Sequence, residues 1–220
     1  MEQLGPTFIC LLIIAAVIVI VTLGLVMQHR RAEAFRELAK RLHLDYHKRS
    51  HRIPKTYSFL DALDCGHSRY AENILAGRYR EHQVLAFDYH YTIGSGKHST
   101  HIHFSFFMLR LPKSFPETRI YPENALSKIG QALGYADIDF ESVEFSRAFT
   151  VRADDKKLAY DVCHTRMMEY LLDHRDISIE IERDWLAVWV NMKRMNPEEV
   201  PRWLDTLVEV REQFPKYLLA

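Results

Sequence analysis

Gln83–Leu111 reads QVLAFDYHYTIGSGKHSTHIHFSFFMLRL, two alternating segments joined by Gly94-Ser95-Gly96-Lys97. Leu85, Phe87, Tyr89 and Tyr91 alternate with Ala86, Asp88, His90 and Thr92, and Ile102, Phe104, Phe106 and Met108 repeat the period two residues at a time. Period-two alternation on both sides of a glycine turn predicts an antiparallel hairpin with one apolar face. Closing the turn so that Ile93 faces His98 sets Phe87 against Phe104, Tyr89 against Ile102 and Leu85 against Phe106, apolar against apolar throughout. The same register places His90 opposite His101 and Asp88 opposite His103, on the face away from the aromatic stripe.

Those four residues are the sharpest chemical feature. Imidazoles and a carboxylate gathered across two strands suit a borderline divalent metal such as zinc, so Asp88, His90, His101 and His103 are the candidate ligands. The plainer alternative is a solvated polar face that tolerates histidine. The Gly-Ser-Gly-Lys turn is not a phosphate-binding loop: His98 follows Lys97, and a second strand stands where a helix N-terminus is needed. Nucleophilic chemistry finds no support either. Cys163 and His164 are adjacent in a helical segment and point to different faces, and Cys65 has His67 nearby without an orienting acid, so both cysteines read as structural. Asp137, Asp139 and Glu141 read as an acidic, solvated edge.

C-terminal to the hairpin, Pro112–Pro116 should break the strand and Arg119–Tyr121 should form a short edge. Glu123–Leu133 reads as a helix closed by Gly134, and Asp137–Glu141 and Phe145–Arg152 as extended. Asp154–Asp173 reads as helical. Ile177–Ile181 and Leu186–Val190 pair as a second hairpin around Arg183-Asp184. The final helix opens on Asn196-Pro197-Glu198-Glu199, a cap, a first-turn proline and two acids at the positive dipole end; Pro201 delays its start. Strands and helices come in blocks, which predicts an α+β fold built on antiparallel strands.

On the N-terminal side, Ile74–Arg80 reads as a further strand, Tyr57–Gly66 as a short helical turn, and His47–Lys55 (HKRSHRIPK) as a basic surface linker. Ala32–Leu44 places Phe35, Leu38, Ala39 and Leu42 on one helical face, suited to packing on the domain or lying on lipid. Before it stands Phe8–Met27, FICLLIIAAVIVIVTLGLVM, without a charge. Twenty helical residues span about 30 Å, the thickness of a bilayer's hydrocarbon core. A signal peptide would want a basic start and a small-residue cleavage site, and a buried core helix would want a polar face; this run has neither. The expected order is therefore a tail at 1–7, a transmembrane helix at 8–27, a juxtamembrane helix and linker at 28–56, and a domain at 57–220. Arg30, Arg31, Arg36, Lys40 and Arg41 follow the span and no basic residue precedes it, so the positive-inside rule places the domain in the cytoplasm and the N-terminus outside.

The chain carries 29 basic and 29 acidic residues, and this balance argues against a nucleic-acid partner. Three cysteines among 220 residues form neither a disulfide framework nor a zinc pattern and fit a reducing compartment.

Asn73-Ile74-Leu75-Ala76-Gly77 followed by Phe87-Asp88-Tyr89-His90-Tyr91-Thr92-Ile93-Gly94-Ser95-Gly96-Lys97 resembles a group of uncharacterised bacterial membrane proteins with an N-terminal span and an FDYxYTxGSGK hairpin. Tyr121-Pro122-Glu123, Gly134, Asp137-Ile138-Asp139-Phe140 and Phe145-Ser146-Arg147-Phe149 extend the similarity from about Arg30 to the C-terminus. The resemblance implies a bacterial inner-membrane protein and no site residues. The leading expectation is a membrane-anchored cytoplasmic binding or scaffold domain that touches the bilayer through Phe8–Met27 and takes a protein partner. A metal-dependent hydrolase built on the histidine-rich hairpin and a ligand-sensing domain coupled to the span are the alternatives; no enzyme signature singles either out.

Overall fold

The computed structural model describes residues 6–123, 137–190 and 193–220. Its first helix, α1 (Pro6–Leu42), runs unbroken from the apolar stretch into the amphipathic one. Residues from Phe8 to Arg30 are exposed, whereas Phe35, Leu38 and Ala39 enter the main core. The amphipathic half thus packs on the domain. The helix ends at His43, which takes a left-handed φ of 54°. His43 N donates to Lys40 O (3.3 Å) and Leu44 N to Ala39 O (2.9 Å), a Schellman closure with Leu44 folded back against Ala39 in the core.

The chain then enters β1 (Asp45–Ser50), which pairs antiparallel with β2 (His67–Tyr79). The basic segment His47–Lys55 is therefore not a linker but strand and the opening of α2 (Ile53–Thr56). At an edge, side chains such as Lys48 and Arg49 stay in solvent while the backbone pairs, so composition alone hides the strand. A second short helix, α3 (Asp61–Asp64), precedes Gly66, whose φ of +62° is needed: a Cβ there would lie 2.4 Å from Thr92 O.

β3 (His82–Ile93) and β4 (Thr100–Pro122) form the expected hairpin, but in a register two residues from the expected one. Ile93 pairs with Thr100, Phe87 with Phe106, Tyr89 with Phe104, His90 with His103, Thr92 with His101 and Asp88 with Ser105. The loop is longer because Gly96–His98 forms a 3-10 turn, closed by His98 N to Ser95 O (3.2 Å) and Ser99 Oγ to Gly96 O (2.9 Å). A shift of two keeps every side chain on its face, so apolar matching cannot separate the two registers.

β4 does not stop at Pro112. It runs 23 residues, passing Pro112 and Pro116 where its pairing with β6 is interrupted between Arg110 and Thr118. Prolines survive in such irregular stretches because no ladder bond is asked of them. The strand then pairs with β5 (Phe149–Ala153) and continues against β6 (Ile177–Val190), so Arg119 is interior rather than at an edge. β6 is one strand of 14 residues, not a hairpin: both apolar halves pair with β4, and Arg183 (φ 53°) sits at the irregularity between them. The long β4 supplies a ladder for both halves, which a local reading of Ile177–Val190 cannot foresee.

Of the remaining segments, α4 (Val143–Ala148), capped by Ser142, replaces the first half of the extended stretch expected at Phe145–Arg152. Asp154–Asp173 divides into α5 (Lys156–Val162), capped by Asp155, and α6 (Thr165–Asp173). A capping box between Asn196 and Glu199 opens a 3-10 turn ahead of α7 (Val200–Gln213), and α8 (Lys216–Leu219) ends the chain. The helix expected at Glu123–Leu133 and its closing Gly134 lie largely outside the described residues.

The described strands form a six-stranded antiparallel sheet, ordered β1-β2-β3-β4-β5 with β6 also on β4, and the class is α+β. Its two faces bury separate cores. One face packs Ala86, Phe107, Leu109 and Val188 under the amphipathic half of α1 and under α5, α6 and α7. The other holds Phe87, Tyr89, Tyr91, Phe104, Phe106 and Trp189 under Leu60 and Leu63. Asp88, His90 and Thr92 follow Val84 and Ala86 on the first face, beyond the apolar packing and beside α1.

Candidate functional site at the junction of span and domain

A carboxylate in the middle of a buried strand must be matched, and Asp88, 1% exposed, is matched four times over. Arg31 on α1 donates through Nη2 at 2.9 Å and Nε at 3.1 Å to Oδ2, and through Nη2 at 3.1 Å to Oδ1. Arg194 Nε (3.2 Å) and Asn73 Nδ2 (2.9 Å) also donate to Oδ2, and Ser105 Oγ donates to Oδ1 at 2.7 Å. Asn73 reaches Asp88 from a β2 irregularity where its own φ is 51°, a conformation that asparagine tolerates. Arg31 also donates to Met195 O (2.6 Å), and Arg194 to Glu72 (2.6 Å). Four separate segments are thereby tied to the helix turn that directly follows the apolar stretch.

This cluster was not legible as such. Arg31 and Asp88 stand 57 residues apart, and Asp88 reads in the sequence as a metal ligand. The available signal is a lone charge inside an apolar ladder, on the face that also carries Ala86. Such a charge demands a cation from whatever element covers that face.

The histidines do come together. His90 Nε2 lies 3.1 Å from His101 Nδ1, and the His90 ring sits 4.5 Å from that of His103. Tyr70 stacks on His90 at 4.3 Å, and the Arg49 guanidinium lies 4.3 Å over Tyr70. Burial pulls His90 and His103 below the usual histidine range, so both rings are neutral at neutral pH. Asp88 is on the same face but turned to Arg31 and Arg194. Among the described residues, the His, Cys, Asp or Glu trio whose ligand atoms lie within 4.8 Å of one another is Asp61, Glu117 and Glu180, not the histidines.

That acidic trio lies in the other layer and is organised around Arg119, which pairs with Asp61 (2.6 Å), Glu117 and Glu180 (3.7 Å). Glu180 accepts from the backbone N–H of Asp61 (2.6 Å) and of Ala62 (3.4 Å), pinning α3 against the sheet. Burial pushes its carboxyl up to about 8. The cysteines are structural in character: burial raises Cys65 to about 11 and Cys163 higher still, leaving no thiolate at neutral pH.

Two surface grooves flank the Asp88 cluster. One, of about 630 Å³, opens where the apolar stretch ends, between the Met27–Arg41 face of α1 and the Arg194–Glu198 segment. Ala34, which is exposed, lines it together with Arg30, Arg41, Glu37 and Glu198. The other, of about 660 Å³, lies at the hairpin end of the sheet beside the histidines.

No family model matches the chain, and no curated protein matches it. Among solved structures, it is similar to the crystal structure of the mycobacterial trehalose monomycolate transport factor A, TtfA, with a TM-score of 0.63 and 14% identity. The match covers 84% of this chain and 96% of that one, so nearly all of the TtfA chain has its counterpart here, and what the two share is the fold.

Proposed function

We propose that this protein is a single-pass inner-membrane protein, N-terminus outside, whose cytoplasmic domain is a non-catalytic binding or scaffold module held at fixed height over the bilayer. The observation that carries this reading is the unbroken α1, locked to the sheet through Arg31 and Asp88 directly after a bilayer-length apolar stretch. A domain meant to roam would hang on a flexible linker; a domain meant to present a surface in register with a membrane partner needs a rigid mount. The groove beside Ala34 is where such a partner would dock, since it lies at the exit of the span and mixes both signs of charge around an apolar floor. The balanced surface charge and the satisfied polar cluster at Asp88 favour binding over chemistry. The TtfA fold is compatible with a place in an envelope lipid-transport assembly.

Photo-crosslinking in intact membranes tests the proposal. A photoreactive side chain at Ala34 or Glu198 should trap one discrete membrane-protein partner, and one at Lys157 or Arg166, on α5 and α6, should not. Adducts from neither groove position, or equal adducts from all four, would contradict it.

A further inference from the structure

The second groove has a composition that the binding role above does not use. Its charged and titratable lining is Arg49, Arg69, His51, His67, His90 and His101; the rest is Ser, Thr, Gly and Tyr, with no carboxylate. Arg49 pairs through Nη2 with Glu72 (3.1 Å), and Arg69 bonds through Nη1 with Asp64 and with Leu63 O. Among the described residues each guanidinium therefore keeps unused N–H donors, and imidazoles and hydroxyls offer more. Such a site suits a phosphate, which takes several donors at once.

Its place relative to the bilayer follows from α1. Leu44, at the far end of that helix, lies against Gly77 of β2. Gln28 and Arg31, at the near end, share a small cavity with Arg49 and Glu72. Going back along β2 from Gly77 to Glu72 is thus going down α1 toward the span. Beyond Glu72 the strand continues in that direction to His67. The paired end of β3 lies beside it, at Ile93 and the loop through Ser99. Ile93 is 46% exposed there, next to Lys97 and His98, an apolar side chain in a basic loop. Basic residues around an exposed apolar one are the composition of a membrane-surface contact.

We propose that this groove takes the phosphate of an anionic phospholipid from the leaflet beside the span, making the hairpin end of the sheet a second membrane contact. This rests on α1 crossing the bilayer. The occupant is argued from charge complementarity and position together: two arginines that keep donors beyond their partners Glu72 and Asp64, in a lining without a carboxylate, at the end of the domain directed to the headgroups.

The test uses the full chain in nanodiscs of phosphatidylcholine with or without phosphatidylglycerol, each lipid carrying a photoreactive headgroup. Labelled peptides are mapped by mass spectrometry. Phosphatidylglycerol should label residues 94–101 and 47–52 well above phosphatidylcholine. Arg49→Gln with Arg69→Gln should cut that excess about thirtyfold, as two surface arginines at about 1 kcal/mol each allow; a circular dichroism melt shows that the variant remains folded. Equal labelling by both lipids, no labelling of either segment, or an excess untouched by the double variant would overturn the assignment. Loss of the excess in added inorganic phosphate would assign the groove to soluble phosphate and overturn the lipid. Failure of the chain to enter nanodiscs at all would overturn the span itself, a distinct result.

Discussion

Asp88→Ala in the full chain will cost about 3 kcal/mol, the low end for breaking a buried ion pair, since Arg194 keeps some solvent. For a protein of this size that is a fall of roughly 6–12 °C in the thermal midpoint. The loss comes less from a missing attraction than from the Arg31 guanidinium left facing a buried cavity without an anion, since Arg194 keeps Glu72. Arg31 and Arg194 both point at Asp88, and Arg31 is 18% exposed in its side chain. Arg110→Ala is the matched control: its pair with Asp184 is similarly short (2.7 Å) but half in solvent, and its loss should cost less than about 1 kcal/mol. A loss at Asp88 no greater than the control's would mean that span and domain are not joined there. Differential scanning calorimetry of the detergent-solubilised chain reads both.

The second large effect is a pH dependence centred on Glu180. Its folded pKa of about 8 lies above the ordinary carboxyl value of 4.5, because burial disfavours the charge more than Arg119 and the two N–H donors favour it. Between those values the folded protein holds a proton that the unfolded chain has released, so stability falls as pH rises. Glu182, raised to about 7, adds to that fall, while His82, His90 and His103, lowered by burial, oppose it as the unfolded chain gives up their protons around pH 6.5; these groups are common to the wild type and a Glu180 variant. From pH 6.5 to 8 the contribution of Glu180 should therefore fall by up to about 2 kcal/mol, at no more than about 1.4 kcal/mol per pH unit. Glu180→Gln keeps an acceptor for Asp61 N–H and removes that titration alone, so the wild type should lose stability relative to the variant over that window. Wild type and variant stabilities that run parallel across that window would show Glu180 ionised as the partner of Arg119. The layer pinned by Glu180 is the one that covers Tyr89 and Trp189, so the same titration governs how firmly α3 sits on the aromatic face.

The elements most readable in the sequence are those whose signal is local and redundant. Phe8–Met27 is long and uncharged enough to announce its length, and Leu85 through Tyr91 alternate strictly enough to fix which side chains share a face. What escaped is what depends on a distant partner. The hairpin register slipped by two because both pairings match apolar with apolar, and only the 3-10 turn at Gly96–His98 decides between them. Pro112 and Pro116 argue for a break in any isolated strand, yet β6 and β5 continue the ladder past them. His47–Lys55 lacks an apolar face because it is an edge, and its order comes from β2. The same limit applies to the site. His90, His101 and His103 were legible as a cluster since they share one hairpin, whereas Asp88 belongs to Arg31 and Arg194, brought in by α1 and by the segment before α7.

Pulsed electron–electron spin resonance on the reconstituted full chain measures directly whether span and domain form one rigid body. Nitroxides at Leu25→Cys and Glu81→Cys, with Cys10, Cys65 and Cys163 replaced by serine, place one label on the apolar stretch and one at the far turn between β2 and β3. A single narrow distance distribution, broadened by Asp88→Ala, is the result expected of a helix locked through Arg31. A broad or multi-peaked distribution in the otherwise wild-type chain would mean that the domain swings free of its span.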